Sequence, residues 1–253
     1  MNKSKLLLLL GPLFIALAAM PANAQLKVYS TNGGEIIFSG ANVDFNNRAV
    51  NTNVRFTSFF HSQQMLNLDL TSFLGVYTGF GFRNIGLITE DLYQNVGFLG
   101  VDATHVDYNK NTKIKRRSYS IGFPFAVKIG NLNDQVYVYG GAEYEWMFHY
   151  KQKLFLDGQK YKYSEWFSNR VNSWIPSVFA GIQFPGGFNL KVKYYLDNFL
   201  NPAFSGVDFG ENVDYSTFQS SGIWYISVAT IINKKSISKM IGNTSDHDRT
   251  AGL

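Results

Sequence analysis

The chain has 253 residues, 45% hydrophobic and 16% aromatic, with no cysteine and a formal net charge of +5 that falls to +3 without Lys3 and Lys5. Disulfides, thiol redox chemistry and Cys-based metal sites are therefore excluded, and a closed structure has to rest on hydrogen bonding and packing. So small a charge makes no case for nucleic acid as a partner.

The first element is a leader. "MNKSK" is basic, "LLLLLGPLFIALAAM" is apolar, and Ala22-Asn23-Ala24 reads as an A-x-A cleavage site. This predicts a secretory signal peptide over residues 1–24 and a mature chain from Gln25, with 25–34 as an N-terminal segment. The apolar run is short for a spanning helix, and no later run is long enough to be one.

From there the pattern has a period of two. Eight strands are predicted, at 35–43, 53–61, 67–83, 115–130, 135–151, 172–184, 187–198 and 222–233. In the fourth, Tyr119, Ile121, Phe123, Phe125, Val127 and Ile129 alternate with Ser118, Ser120, Gly122, Pro124, Ala126 and Lys128. The fifth carries Val136, Val138, Tyr144, Trp146, Phe148 and Tyr150 on its apolar parity, and Phe188, Leu190, Val192, Tyr194 and Leu196 do the same in the seventh. Connections alternate in length. The short ones are Ser62–Leu66, Asn131–Asp134 and Pro185–Gly186; the long ones are Asn84–Ile114, Gln152–Val171 and Phe199–Ser221, with Asp44–Thr52 intermediate.

Bulky residues on one face with charged or small residues on the other describe a barrel turned inside out. Backbone groups in a bilayer must all be paired, so strands cross it only as a closed barrel. Short turns at one end and long loops at the other, with an even strand count, fit an up-and-down membrane barrel. The predicted class is all-β: an antiparallel transmembrane β-barrel over 35–233, followed by a polar tail, 234–253. Pro124 and Pro176 fall inside strands, where bulges are expected.

With its leader, strand parity and loop alternation, the sequence resembles the small bacterial outer-membrane β-barrel family, the eight-stranded OmpA/OmpX-like barrels and outer membrane β-barrel domain proteins, over about residues 35–233. The resemblance implies a Gram-negative outer-membrane location, contact with outer-membrane lipid and lipopolysaccharide, and passage through the barrel-assembly machinery. It implies anchoring, adhesion or loop-mediated binding, with lipid-modifying catalysis in some members.

Three groups of residues are candidates for function. Lys128, Glu143, Glu145, Lys191 and Lys193 face inward by parity and form an interior charge cluster, with Arg55 and Asp69 nearby. An eight-stranded barrel has room for little more than its own side chains, so a self-paired plug is favoured over a proton path. At the outer rim, Lys113, Lys115, Arg116, Arg117 and Lys153 are placed to hold lipopolysaccharide phosphates by charge-assisted hydrogen bonds. Trp146, Phe148, Tyr150, Trp166 and Trp224 are the expected interface aromatics.

Catalysis has a thinner basis. Of the four histidines, His61 falls at a predicted short turn, while His149 lies near the outer end of its strand, inward by parity, with Glu145 on the same face and no serine spaced as nucleophile. The acidic residues Asp208, Glu211 and Asp214 lack the one-in-two spacing of a calcium loop. No metal or cofactor is expected. The reading is a non-enzymatic structural or surface-interaction protein acting through loops 84–114, 152–171 and 199–221. A lipopolysaccharide-modifying enzyme, a small pore and a secretion-machinery component stand as alternatives.

Overall fold

The computed structural model describes residues 26–45, 47–58, 61–90, 113–156, 159–208 and 211–232. The expected leader, the tail 234–253, His105, His247 and most of the loop 84–114 lie outside the described residues. The strands are β1 (Lys27–Phe45), β2 (Arg48–Ala49), β3 (Arg55–Thr57), β4 (Ser62–Asp69), β5 (Leu74–Glu90), β6 (Lys113–Asn131) and β7 (Val136–Leu156). Then come β8 (Gln159–Trp166), β9 (Trp174–Gln183), β10 (Phe188–Tyr195), β11 (Ser205–Asp208), β12 (Glu211–Asp214) and β13 (Phe218–Ile232).

Eight of these close a ring. The order β1-β4-β5-β6-β7-β9-β10-β13 is antiparallel throughout, and β13 pairs back onto β1 from Asn32↔Ile232 to Phe45↔Phe218. Closure leaves the ring without an edge, as lipid requires. Five shorter segments are accessory: β2 and β3 pair β1, β8 extends β7 as a hairpin, and β11–β12 form a separate two-stranded sheet.

The parity rule holds around the wall. On β6, Phe123, Phe125 and Ile129 are exposed while Ser120, Ala126 and Lys128 are buried. On β10, Phe188, Leu190, Val192 and Tyr194 point out and Asn189, Lys191, Lys193 and Tyr195 point in. Exposed apolar side chains from β1, β4, β5, β9 and β13, among them Phe38, Leu66, Phe80, Val178 and Ile226, continue this outer surface. The buried lysines behind it establish the inverted arrangement of a transmembrane β-barrel. Among the described residues no helix is long and apolar enough to cross a membrane.

Several boundaries differ from the sequence reading. Residues 27–34, expected to precede the first strand, form the start of β1. Ser62–Leu66, expected as a turn, lies in β4, and the predicted strand 67–83 is broken by a turn at residues 70–73. In that turn Thr71 Oγ1 accepts from Phe73 N (3.1 Å) and Leu74 N (2.9 Å), and Leu70 N donates to Leu74 O (2.9 Å). A threonine hydroxyl replaces the glycine or asparagine that usually marks a tight turn. The expected loops 152–171 and 199–221 contain the upper part of β7, β8 and the β11–β12 hairpin.

The prolines are accommodated without the expected bulges. Pro124 sits where β5–β6 pairing lapses between Thr78↔Phe125 and Gly81↔Gly122 and then resumes in the same register. Pro176 lies just past the last β9–β10 pair, Tyr195↔Ser177, so its missing N–H interrupts no ladder there. A register shift occurs instead on β7: Tyr119 faces His149 but Ser120 faces Met147, leaving Phe148 as the extra residue.

Candidate functional site

The lumen is filled in layers. Nearest the short turns, Lys128 Nζ pairs with Asp69 Oδ1 (2.7 Å) and donates to Asn67 Oδ1 (3.0 Å) and Tyr29 Oη (3.2 Å). Above lie the rings of Tyr77, Tyr137, Tyr139 and Phe179.

At mid-height is the charge network. Arg83 Nε bonds Glu35 Oε1 (2.6 Å), and its Nη1 bonds Glu143 and lies 3.5 Å from Glu145 Oε1. Lys191 Nζ reaches Glu35 Oε2 (2.7 Å); Lys193 Nζ reaches Glu143 Oε2 (2.7 Å) and also pairs with Glu145. Ser120 Oγ and Tyr195 Oη each donate to Glu145 (2.8 Å), and Ser227 Oγ donates to Glu35 Oε2 (3.0 Å). Three cations and three carboxylates thus balance, drawn from β1, β5, β7 and β10. Gly122 makes the room, since a Cβ there would run into the Glu143 carboxylate and the Arg83 guanidinium.

The long-loop end is closed by an apolar cluster that includes Ile37, Ile85, Met147, Ile223 and Tyr225 from the wall and Phe199, Leu200 and Tyr215 from the loops.

Four of the five cluster residues expected from the sequence therefore meet. Lys128 does not: it belongs to the lower pair with Asp69, and Arg55 bonds Asn84 O (2.7 Å) and Oδ1 (2.8 Å) near the top. No motif in the sequence marks Arg83 and Glu35, the hub and its partner. Their strand parity was the available signal, since Arg83 falls on the same face as Gly81 and Gly75.

The outer surface carries a belt of rings. Tyr144 stacks on Trp174 (centroids 5.0 Å), Trp174 on Trp146 (6.1 Å), Trp146 on Phe167 (5.8 Å) and Phe148 on Trp166 (5.9 Å). Trp224 lies on the outer face of β13 over Gly40, where any Cβ would meet its indole. Tyr150 is a correction: the Phe148 bulge turns it inward, where it is fully buried and donates to Gln152 Oε1 (2.6 Å).

The same bulge moves His149 off the Glu145 face. Its ring stacks on Trp166 (4.2 Å) and Tyr119 (5.7 Å), and no hydrogen bond joins it to a serine among the described residues. His61 is likewise not in a turn. It precedes β4 with its side chain buried, and neither ring nitrogen has a hydrogen-bond partner among the described residues. No group of three potential metal ligands occurs among the described residues.

Above the belt the outer face is cationic. The register sets Lys115 opposite Lys153 and Lys153 opposite Lys162; Arg117 stands opposite Lys151, two residues nearer the belt. Like charges directly opposite on a sheet destabilise it, yet among the described residues no carboxylate pairs with Lys115, Arg117, Lys151, Lys153, Lys160 or Lys162. Lys113 is neutralised by Glu90 (2.7 Å). Some relief comes from rings, with Arg117 and Lys151 over Tyr119 and Lys115 and Lys160 over Phe155. Burial first, and then neighbouring cations, hold the Lys115 and Lys153 ammonium groups below the usual lysine range.

Lys113, Lys115, Arg117 and Lys153 also line one cavity of about 710 Å³, together with Arg55 and Asn84. Arg116, expected at the same site, points into the barrel. It is 1% exposed, donates to Thr89 Oγ1 (3.4 Å) and lies over the Phe218 ring. Odd and even positions of a strand face opposite ways, so the run Lys115-Arg116-Arg117 could not deliver all three cations to one side.

No protein-family model and no curated protein matches the chain. Solved outer-membrane β-barrels do. Ail, the attachment invasion locus protein of Yersinia pestis, aligns at 14% identity over 80% of this chain and 99% of its own, with a TM-score of 0.31. OprG of Pseudomonas aeruginosa aligns at 13% over 81% and 96%, TM-score 0.32, and the N-terminal barrel of OprF from the same organism at 10% over 81% and 100%, TM-score 0.28. By its own closure and inverted surface, the chain is an up-and-down transmembrane β-barrel with a filled lumen.

Proposed function

We propose that this is an outer-membrane barrel, exported by the 1–24 leader, whose work is done by its outer wall and loop-side surface and not through its lumen. The role is non-enzymatic: structural or surface-interacting, with the basic outer face retaining lipopolysaccharide, and with the barrel-assembly machinery as a partner during insertion.

The observation that carries this reading is the filled interior. A charge-balanced network spans mid-height, and Phe199, Leu200 and Tyr215 pack into the long-loop end. Desolvated charges with complete partners have no free valence to pass to an ion. An acyltransferase or deacylase requires a base beside a nucleophile; the face of His149 is occupied by Trp166.

The test combines two measurements on protein purified from the outer-membrane fraction. Unboiled protein is expected to migrate differently from boiled protein in SDS, and planar bilayers containing it are expected to show no conductance steps. Recovery in the soluble fraction would overturn the membrane reading, and stepwise conductance would replace it with a pore. A mass change in lipopolysaccharide incubated with the protein would establish an enzyme.

A further inference from the structure

The cavity beside β3 is a built site. Its wall is Arg55 on one side and Lys115, Arg117 and Lys153 on the other, with Asn84 and Ile88 between them on β5. Arg55 is buried and fixed by both its bonds to Asn84, so one guanidinium is held in place before any ligand arrives. Between Asn84 and Ile88 the two strands approach closely, because Gly86 opposes Arg117 and a Cβ on it would meet the Arg116 and Arg117 backbone.

Three cations that have no carboxylate partner among the described residues converge here from β6 and β7. Lys115 and Arg117 are two residues apart, about 7 Å along the strand, and Lys153 is the direct cross-strand neighbour of Lys115, about 5 Å away. That span exceeds one phosphate group. Val54, Phe56 and Tyr119 add apolar surface. The cavity also has a defined height, since Tyr119 at its lower edge shares the row of His149 and Trp166 in the aromatic belt. Aromatic belts mark the headgroup level of a bilayer, so the cavity opens where the phosphorylated part of an outer-leaflet lipid lies.

We infer that this cavity is a specific binding site for a sugar bearing more than one phosphoryl group, with Arg55, Lys115, Arg117 and Lys153 as its phosphate ligands. The inference rests on the outer-face reading above, and it narrows that reading from a basic surface to a single site. Anion binding would remove the repulsion between Lys115 and Lys153, which no carboxylate among the described residues offsets. Each charge-assisted bond to phosphate contributes enough for about tenfold in affinity.

The experiment titrates the full mature chain, in uncharged detergent micelles, with three probes: a bisphosphorylated diglucosamine lipid, the same lipid without its phosphates, and the soluble acyl-free bisphosphorylated disaccharide. Wild type is expected to prefer the phosphorylated lipid. The variant Lys115→Gln/Lys153→Gln should bind it at least about tenfold more weakly, with the boiled-against-unboiled shift retained. Arg48→Gln, an exposed cation on β2 outside the cavity, should bind as wild type does.

Equal affinity for the soluble disaccharide would keep the site and assign it to a free phosphorylated glycan instead of a lipid. If wild type binds but the cavity variant binds equally well, the cavity assignment falls while the outer-face reading stands. If wild type shows no preference for phosphate, both fall. Should the variant fail to fold, wild type alone decides: affinity must drop steeply with added salt, and a salt-independent affinity overturns the site.

Discussion

Lys115 and Lys153 illustrate what a single side chain can carry in this wall. Their ammonium groups are held below the usual lysine range by burial and then by neighbours: Lys113, Arg55 and Lys160 around Lys115, and Arg117, Lys160, Lys162 and Lys115 around Lys153. A lysine whose folded pKa is lowered weakens the fold while charged, and that cost is relieved as pH rises through the folded value. An anion has the opposite preference, because it binds the charged form and raises the pKa. Phosphate affinity should therefore fall with rising pH in a window below the ordinary lysine value of about 10.4, with proton uptake on binding at the foot of the window. Calorimetry in buffers of different ionisation enthalpy measures that uptake. Lys115→Arg/Lys153→Arg should flatten the decline, because guanidinium stays charged throughout. A decline that persists in the arginine variant would overturn the assignment of this pH dependence to the two lysines.

At the scale of elements, the interior network fastens β5 to β1 and β7, and β10 to the same two strands, through Arg83, Lys191 and Lys193. Removing one member leaves its partner charged and buried, a cost of about 3–5 kcal/mol. Arg83→Met should lower unfolding free energy in lipid vesicles by about that amount, and planar bilayers should still show no conductance, because the apolar end above the network is intact. The combined Arg83→Met/Glu143→Gln change should recover part of the loss. A conducting Arg83 variant would mean the network, not the apolar cap, is the barrier.

The sequence displayed this architecture wherever the two faces of a strand meet different solvents. Phe188–Leu196 alternates without fault because one side meets the outer surface and the other meets the network. It failed to display features set by the backbone. Leu70 and Leu74 keep the parity of Leu68 and Val76 across a turn that Thr71 makes with its hydroxyl, so two strands read as one despite Ser72 and Phe73 between them. The extra residue at Phe148 has no compositional mark, and past it every parity assignment inverts, which is why Tyr150 and His149 exchanged faces. Arg83 was legible as inward but not as the hub, because its partners lie on β1 and β7, remote in sequence.

The molecule as a whole separates a closed ring from a loop-side platform. Among the described residues the β11–β12 hairpin pairs only with itself, from Ser205↔Asp214 to Asp208↔Glu211. One tie to the rest is Arg170, whose Nη2 donates to Val207 O (2.7 Å) and whose guanidinium lies over the rings of Tyr163 (4.4 Å) and Phe204 (4.6 Å). The ends of the hairpin are already joined without it, since Tyr215 N donates to Phe204 O (2.9 Å). Replacing residues 205–214 by a two-residue Asn-Gly turn therefore removes no ring hydrogen bond among the described residues and leaves Tyr215 and Phe218 in the apolar end. The expected result is an unchanged electrophoretic heat shift and an unfolding free energy within about 1 kcal/mol of wild type. A lost heat shift would show that ring closure depends on the platform. Retention would mean that the wall alone specifies the barrel, leaving the hairpin free to vary with whatever it meets outside the membrane.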